Sequence, residues 1–367
     1  MRRVGHLWGI GLWVSFHSSF TFCSRNTRLL VADTGDDPRV SSTLIERQVP
    51  EKRKLTTKPR PSDVAFRTTL NIMSYSSLLI LAAIGGFLAF RGFGAFKQNG
   101  IGFITNSPWS AIVGDNGKET DIFGMGAMIV GTLVISTIAL LIGVPISVLT
   151  ALFLTFYAPE RIKKILVTVV DLMASFPSIL YGLWGFIVLS PMATYWAKLI
   201  YKYLGWIPFL SVPQPAFDRS PFLAGIVLSI MIIPIVTSVS REIFGQTPLD
   251  RIQAAYALGA TRWGMIRAVA LPFGASGVVG GAMLGLGRAL GETVAVYSVL
   301  NIVFKINWHV LYGYGGNIAS MIVQKFGEAS FNEKKALLAA GFVLFVMTLL
   351  VNMIANTVVS RAVKSGK

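Results

Sequence analysis

The pattern of hydrophobic and polar positions predicts six membrane-spanning helices. Long apolar stretches alternate with more polar stretches from residue 74 onward. Each apolar stretch is long enough to cross roughly 30 Å of hydrocarbon as a helix. The predicted spans cover residues 74–92, 124–156, 165–190, 221–241, 274–300 and 336–360. The sequence therefore predicts an all-α polytopic membrane protein with six transmembrane helices.

Composition narrows the function classes. Of the 367 residues, 53% are hydrophobic and 14% are charged, which is typical of a membrane protein. The net charge is +16, but most basic residues fall in loops and in the N-terminal tail, so they indicate membrane topology and not binding to nucleic acid. With one cysteine and three scattered histidines, the chain has neither an intrachain disulfide nor a predicted metal site.

Basic residues also predict the orientation in the membrane. The two tails, the 157–164 loop and the 242–273 loop with the adjoining Arg241 hold 22 lysines and arginines, whereas the three intervening loops hold nine. Because basic loops are retained on the cytoplasmic side, we expect both termini and the 242–273 loop to be cytoplasmic.

Residues 1–70 are predicted to form an N-terminal extension, which has two interpretations. An apolar stretch at 4–23 follows two arginines, as in a signal peptide or signal anchor. Alternatively, the start codon is misassigned and lies too far upstream. The charged, proline-containing stretch 33–67 is predicted to be a disordered cytoplasmic tail. Residues 71–367 then make up the transmembrane domain.

The 242–273 loop carries an apolar stripe at helical spacing. The stripe steps alternately by three and four residues through Leu249, Ile252, Tyr256, Gly259, Trp263, Ile266 and Ala270. A glycine at 259 interrupts it, and Thr261 is placed to cap a second helix. From the pattern alone, the stripe lies either against another protein, or on the lipid surface or the chain's own bundle.

The stretch QAAYALGATRWGMIRAVALP at 253–272 resembles the EAA loop of ABC importer permeases. The matching residues are Ala254, Ala255, Gly259, Leu271 and Pro272, and the turn includes Ala260 and Thr261. One position departs, since Gln253 replaces the usual leading glutamate. The resemblance implies a MetI-like permease fold in which this loop sits in a groove of a separate ATPase subunit. We call residues 242–273 the coupling element.

Two charged residues lie inside the fifth predicted span. Arg288 and Glu292 are spaced i to i+4, so on one continuous helix they would share a face. Charge at membrane depth costs roughly 2.5–3.5 kcal/mol per residue, so we expect the pair to point inward. Small-residue steps at Gly277, Gly281 and Gly285 lead to the pair and predict close packing against another helix.

The guanidinium of Arg288 suits an oxyanion because it offers a fixed fork of donors and keeps its charge. Glu292 would hold the guanidinium and offset its charge, and the hydroxyl of Thr293 is a weaker candidate donor. The alternative is a static buried ion pair that only fixes helix register. Residue chemistry alone leaves both readings open.

The stretch GLGRALGETVAV resembles the phosphate-specific branch of the ABC permeases, and PstC-type subunits in particular. Further stretches agree with this resemblance, which covers about 70–360: FPSILYGLWGFIVLSP, GTLVISTIALLIGVP and FITNSPW. It implies that Arg288 and Glu292 are needed for phosphate movement in a bacterial inner membrane. It also implies three partners: a PstA-like second permease, a PstB-like ATPase dimer and a PstS-like extracytoplasmic phosphate-binding protein.

The chain contains no G-x-x-x-x-G-K-[ST] phosphate loop, so we expect a non-hydrolysing permease with no cofactor of its own. ATP and Mg²⁺ would be bound by the partner ATPase. Alternatives that stay open are another oxyanion cargo (molybdate, sulfate or phosphonate), the sister PstA-type permease, and a stand-alone secondary anion transporter. A membrane enzyme is disfavoured because acids do not cluster and no histidine lies in a span.

Overall fold

Helices dominate the described part of the chain, which comprises residues 60–113 and 119–365 of a computed structural model. Six of the helices there are long and apolar enough to cross a bilayer, which confirms the predicted number. These spans one to six are Pro61–Asn99, Gly126–Tyr157, Ser178–Leu204, Pro221–Gly245, Arg262–Gly291 and Phe331–Thr357. The interpretations of residues 1–59 lie outside the described residues.

The described residues form thirteen α-helices. They are α1 (Pro61–Asn99), α2 (Gly102–Thr105), α3 (Gly126–Leu152), α4 (Glu160–Ser175), α5 (Ser178–Trp184), α6 (Ser190–Leu204), α7 (Pro221–Gly245), α8 (Leu249–Ala257), α9 (Arg262–Met265), α10 (Leu271–Gly291), α11 (Val294–Val299), α12 (Ile318–Phe326) and α13 (Phe331–Ser365). Three π-helical segments continue α3, α5 and α9: Phe153–Tyr157, Gly185–Leu189 and Ile266–Ala270.

The first span begins earlier than its hydropathy predicts. Helix α1 starts at Pro61, so residues 61–70, which the sequence assigned to the extension, are helical. Proline suits a first helical position because its missing N–H has no partner there in any case. The helix packs on α13 through small residues, since a Cβ added at Gly92 would lie 2.6 Å from the Cα of Ala339.

The third span lies farther along the chain than predicted. Residues 160–175 form the separate helix α4, which has no buried residue, and the span itself is Ser178–Leu204. Phe176, with ψ 137°, is extended because a residue before a proline is disfavoured in the helical region. Pro177 therefore divides a stretch that hydropathy alone reads as one span.

The fifth span also differs from the prediction of 274–300. Its helix runs from Arg262 to Gly291 and merges with the second half of the coupling element. Beyond Gly291 the chain becomes extended at Glu292, with ψ 130°, before the short helix α11 begins. The residues on either side of position 292 therefore belong to two different helices.

The core lies where α3, α7 and α11 meet. Buried side chains there include Ile135 and Ala139 of α3, Val227 and Ile232 of α7, and Val296 of α11. Helix α10 packs on the far part of α7, as described below. The helices thus bury their small and branched residues against each other, while most of α1 stays open to its surroundings.

A two-stranded antiparallel hairpin, not foreseen from the sequence, follows α2. Strands β1 (Trp109–Val113) and β2 (Glu119–Phe123) pair with Trp109 opposite Phe123. The indole N–H of Trp109 donates to Glu333 at 2.7 Å, and Lys325 forms a 3.6 Å ion pair with the same carboxylate. These contacts fasten the hairpin to the start of α13.

Candidate functional site

The glycine stripe of α10 faces α7 of the same chain. A Cβ at Gly277 would overlap the side chain of Ile243, and one at Gly285 would lie 3.0 Å from Val236. A Cβ added at Gly281 would lie 3.3 Å from Val239, which is closer than ordinary van der Waals contact. Only residues without a side chain allow the two helices this spacing.

Arg288 lies in the last turn of α10 and is partly buried. Within the described residues its guanidinium makes neither a hydrogen bond nor an ion pair, and its electrostatic neighbour is the buried Tyr181 of α5. The expected ion pair with Glu292 is therefore absent from this arrangement. Helix α10 ends at Gly291, so Glu292 is the first residue beyond it.

Glu292 is buried, with 7% of its surface exposed, and its carboxylate is used locally. Its Oε1 accepts a hydrogen bond from the backbone N–H of Ala295 at 3.2 Å, which is an N-terminal capping contact for α11. An anionic cap also complements the positive end of the helix dipole. These two effects favour the break in span five and use one carboxylate oxygen in a local contact.

Thr293, the third residue of the predicted pathway, is partly buried at the start of α11. Its carbonyl accepts the backbone N–H of Tyr297 at 3.0 Å. Its hydroxyl makes no hydrogen bond with the described residues. A role for this hydroxyl toward an anion stays a prediction.

Sequence reasoning missed Asn317, which fastens the break in span five. This residue is 1% exposed. Its Nδ2 donates to the carbonyl of Glu292 at 2.5 Å. Its Oδ1 caps α12 by accepting the N–H of Ser320 at 3.0 Å. An asparagine before an apolar run is a readable N-cap signal. The bond to Glu292 is not readable, because it joins residues 25 positions apart.

The coupling element has the predicted helix–turn–helix geometry. Helix α8 ends before Gly259, whose φ of +80° is a conformation that favours glycine. Thr261 then caps α9 by accepting the N–H of Gly264 at 3.2 Å. Gln253 and Ala254 are exposed on α8, and the other matched residues are exposed or partly buried: Ala255, Ala260, Leu271 and Pro272.

The apolar stripe of the coupling element is divided between two surroundings. Ile266 and Ala270 are fully buried beside Phe244 of α7. Three large apolar side chains of the stripe are open, and so is Leu258, which lies outside the stripe. The four residues, with exposures of 42–89%, are Leu249, Tyr256, Leu258 and Trp263. We call these four residues the exposed apolar patch. An apolar cluster of this kind on a loop is typical of an interaction surface.

Comparison with known proteins identifies the family. Residues 143–364 match the family described as "Binding-protein-dependent transport system inner membrane component". The chain belongs to this family of ABC importer permeases. It is therefore a permease subunit and a multi-pass protein of the bacterial inner membrane.

Curated relatives of this permease carry phosphate transport names. It is 39% identical over 313 residues to "Phosphate transport system permease protein PstC 2" of Mycobacterium tuberculosis, covering 84% of this chain and 93% of the relative. It is 37% identical to "Phosphate transport system permease protein PstC" of Pasteurella multocida, covering 82% and 93%. Both alignments extend well beyond the family match toward the N-terminus.

A solved structure has the same fold. The permease superposes on a chain of the bacterial alginate ABC transporter in complex with an alginate-bound periplasmic protein, with a TM-score of 0.54 and 19% identity. The match covers 83% of this permease and 98% of that chain. At this identity the likeness concerns the fold alone.

Proposed function

We propose that this permease supplies half of the translocation pore of an ATP-driven phosphate importer. The observation that carries the proposal is Arg288, a guanidinium in the last turn of α10 with no carboxylate partner among the described residues. Relatives up to 40% identical that are named as phosphate transport permeases support phosphate as the cargo.

The chemistry of Arg288 fits a passing oxyanion. An uncompensated charge in a low-dielectric region is costly, so a bound anion is favoured there. Its planar donors match phosphate oxygens in pairs, and Glu292, buried just beyond α10, supplies a nearby negative charge that opposes permanent capture. We therefore assign Arg288 to contact with the anion, and Glu292 to shaping the break and weakening that contact.

The coupling element connects this site to the ATPase in our proposal. The exposed apolar patch would fill a groove of the ATPase, whereas Ile266 and Ala270 anchor the element to the bundle. The helix Arg262–Gly291 is 30 residues long and includes the π-helical segment Ile266–Ala270. From Trp263 of the patch to Arg288 it spans about 38 Å. Closure of the ATPase would thus move Arg288 along a single rigid element.

The partners follow from what this chain lacks. We infer that a PstA-like permease completes the pore, a PstB-like dimer binds ATP and Mg²⁺, and a PstS-like protein delivers phosphate. The chain itself would hydrolyse nothing and hold no cofactor. In this proposal both termini and the coupling element lie in the cytoplasm, which the excess of basic residues in these segments supports. The bilayer surrounds the spans, and nucleic acid has no part in the function.

The test is uptake of labelled inorganic phosphate in cells with Arg288→Gln at parental membrane levels. We expect uptake to fall by about 100-fold or more, because a charge-assisted contact of about 3 kcal/mol is lost. Arg91→Gln, which removes an exposed arginine of α1, is the matched control and should keep uptake. Parental uptake by Arg288→Gln would refute the proposed role. An excess of unlabelled molybdate, sulfate or phosphonate that abolished uptake would redirect the cargo.

A further inference from the structure

Arg219 is held in an unusual backbone conformation immediately before α7. Its φ is 51°, and among the described residues it is the only non-glycine residue with a positive φ. This region is unfavourable for a residue with a Cβ, so the surroundings must impose it. They do so from both sides, because Ser220 caps α7 and Gly313 packs closely on the carbonyl of Asp218.

The side chain of Arg219 is oriented by neutral groups. Its Nη1 donates to Oδ1 of Asn301 at 2.5 Å, and its guanidinium carbon lies 4.8 Å from the ring centre of Phe186. No carboxylate pairs with it in the part of the chain that the structure describes. The guanidinium is only partly buried, so it keeps its full charge and has donors left for another ligand.

Arg219 and Arg288 lie at opposite ends of one pair of packed segments. Helix α11 packs closely on α5, since a Cβ at Gly182 would lie 2.8 Å from the Cα of Ala295. Arg288 precedes α11 and neighbours Tyr181 of α5, whereas Arg219 contacts the segments that follow each of these two helices. The six residues of α11 span about 9 Å.

Arg219 is also on the far side of the membrane from the coupling element. It precedes the first residue of α7, whereas the coupling element begins in the last turn of that helix. A helix of 25 residues is about 37 Å long, which is enough to separate the two membrane faces. An anion that enters from the face opposite the ATPase would meet Arg219 before Arg288.

We propose that Arg219 is an outer binding station for the tetrahedral oxyanion, which it passes to Arg288. This inference rests on the proposed anion transport. A partly exposed guanidinium raises the local anion concentration, and its neutral partners leave that charge uncompensated. The strained backbone is explained if it aims the guanidinium over α11. Asn301 and Phe186 would then keep the group in place between transport cycles.

The experiment uses the complete transporter in proteoliposomes with its phosphate-binding protein. Phosphate taken up per ATP hydrolysed is measured for Arg219→Gln, Arg219→Lys and the control Lys202→Gln, an exposed basic residue of α6. We expect Arg219→Gln to lower this ratio by about tenfold. Arg219→Lys keeps the charge and should recover most of the ratio, which separates loss of the charge from misfolding of the variant. Lys202→Gln should match the parent.

A parental ratio in Arg219→Gln would overturn the inference. If the half-saturating concentration of binding protein were raised at the same time, Arg219 would be a docking contact for that protein and not an anion station. Failure of the proposed function is distinguishable, because the unaltered transporter would then show no phosphate uptake at all.

Discussion

Replacing Asn317 tests whether the break in span five is a specified feature of this permease. The amide joins two elements, since it donates to the carbonyl of Glu292 and accepts the N–H of Ser320. Both partners are buried. In Asn317→Ala each of these backbone groups loses its partner in a site too enclosed for easy access of water.

The magnitude follows from those two groups. A buried polar group left unpaired costs about 1–3 kcal/mol, so Asn317→Ala should lose about 2–6 kcal/mol. Asn317→Ser keeps a side-chain oxygen that can cap α12, but its hydroxyl is too short to donate to the carbonyl of Glu292 as well. Its loss of stability should therefore be about half as large. Since 1.4 kcal/mol is tenfold in an equilibrium constant, a 2 kcal/mol loss confined to the break would lower the ratio of native to altered geometry there about 30-fold.

The assay pairs two measurements on the same variants. The free energy of unfolding of the purified subunit is measured by SDS titration in mixed micelles, and phosphate uptake is measured in cells at equal membrane abundance. Ser330→Ala, which removes the hydroxyl that accepts the backbone N–H of Glu333 at the start of α13, serves as the control for loss of a cap alone. We expect Asn317→Ser to lower uptake more than Ser330→Ala does. Equal stability and uptake in Asn317→Ala and the parent would refute the reasoning.

The remaining predictions concern docking and helix packing. Leu249→Asp and Leu258→Asp should leave stability within about 0.5 kcal/mol, because these side chains are 70% and 89% exposed. Both should nevertheless abolish co-purification of the ATPase, and its retention with full uptake would contradict the docking role. Gly277→Ala should destabilise the subunit by about 1–3 kcal/mol, because the new methyl overlaps Ile243. Gly280→Ala, with open space around it, should be neutral or stabilising, and equal thermal stability of the two variants would argue against close packing of α10 on α7.

Local sequence was sufficient wherever a feature depends on a short stretch of chain. The number of spans follows from hydropathy, because the bilayer sets the length of apolar helix that is required. The turn of the coupling element follows from Gly259 and the cap from Thr261, because both act on residues within one turn. Pro177 is also a local signal for the start of span three, because the residue before a proline disfavours the helical region, whereas hydropathy alone predicts one span across it.

The environment of Arg288 depended on contacts between distant residues. A run of helix-compatible residues predicts one helix through Glu292, and the spacing then predicts an ion pair. The chain instead ends that helix at Gly291, because Glu292 gains a capping bond to Ala295 and Asn317 satisfies its carbonyl. The division of the apolar stripe between a buried side and the exposed apolar patch also required the packing of α7 against the coupling element.

The sequence by itself determined how many times this chain crosses the membrane, where the helix–turn–helix of the coupling element lies, and which arginine stands in an apolar span. Tertiary structure alone decided that Arg288 has no partner within the described chain and that Arg219 lies at the other end of α11. The physical reason is range. Hydropathy, caps and turns act over a few residues, whereas the partner of a buried polar group is whatever the fold brings within about 3 Å of it.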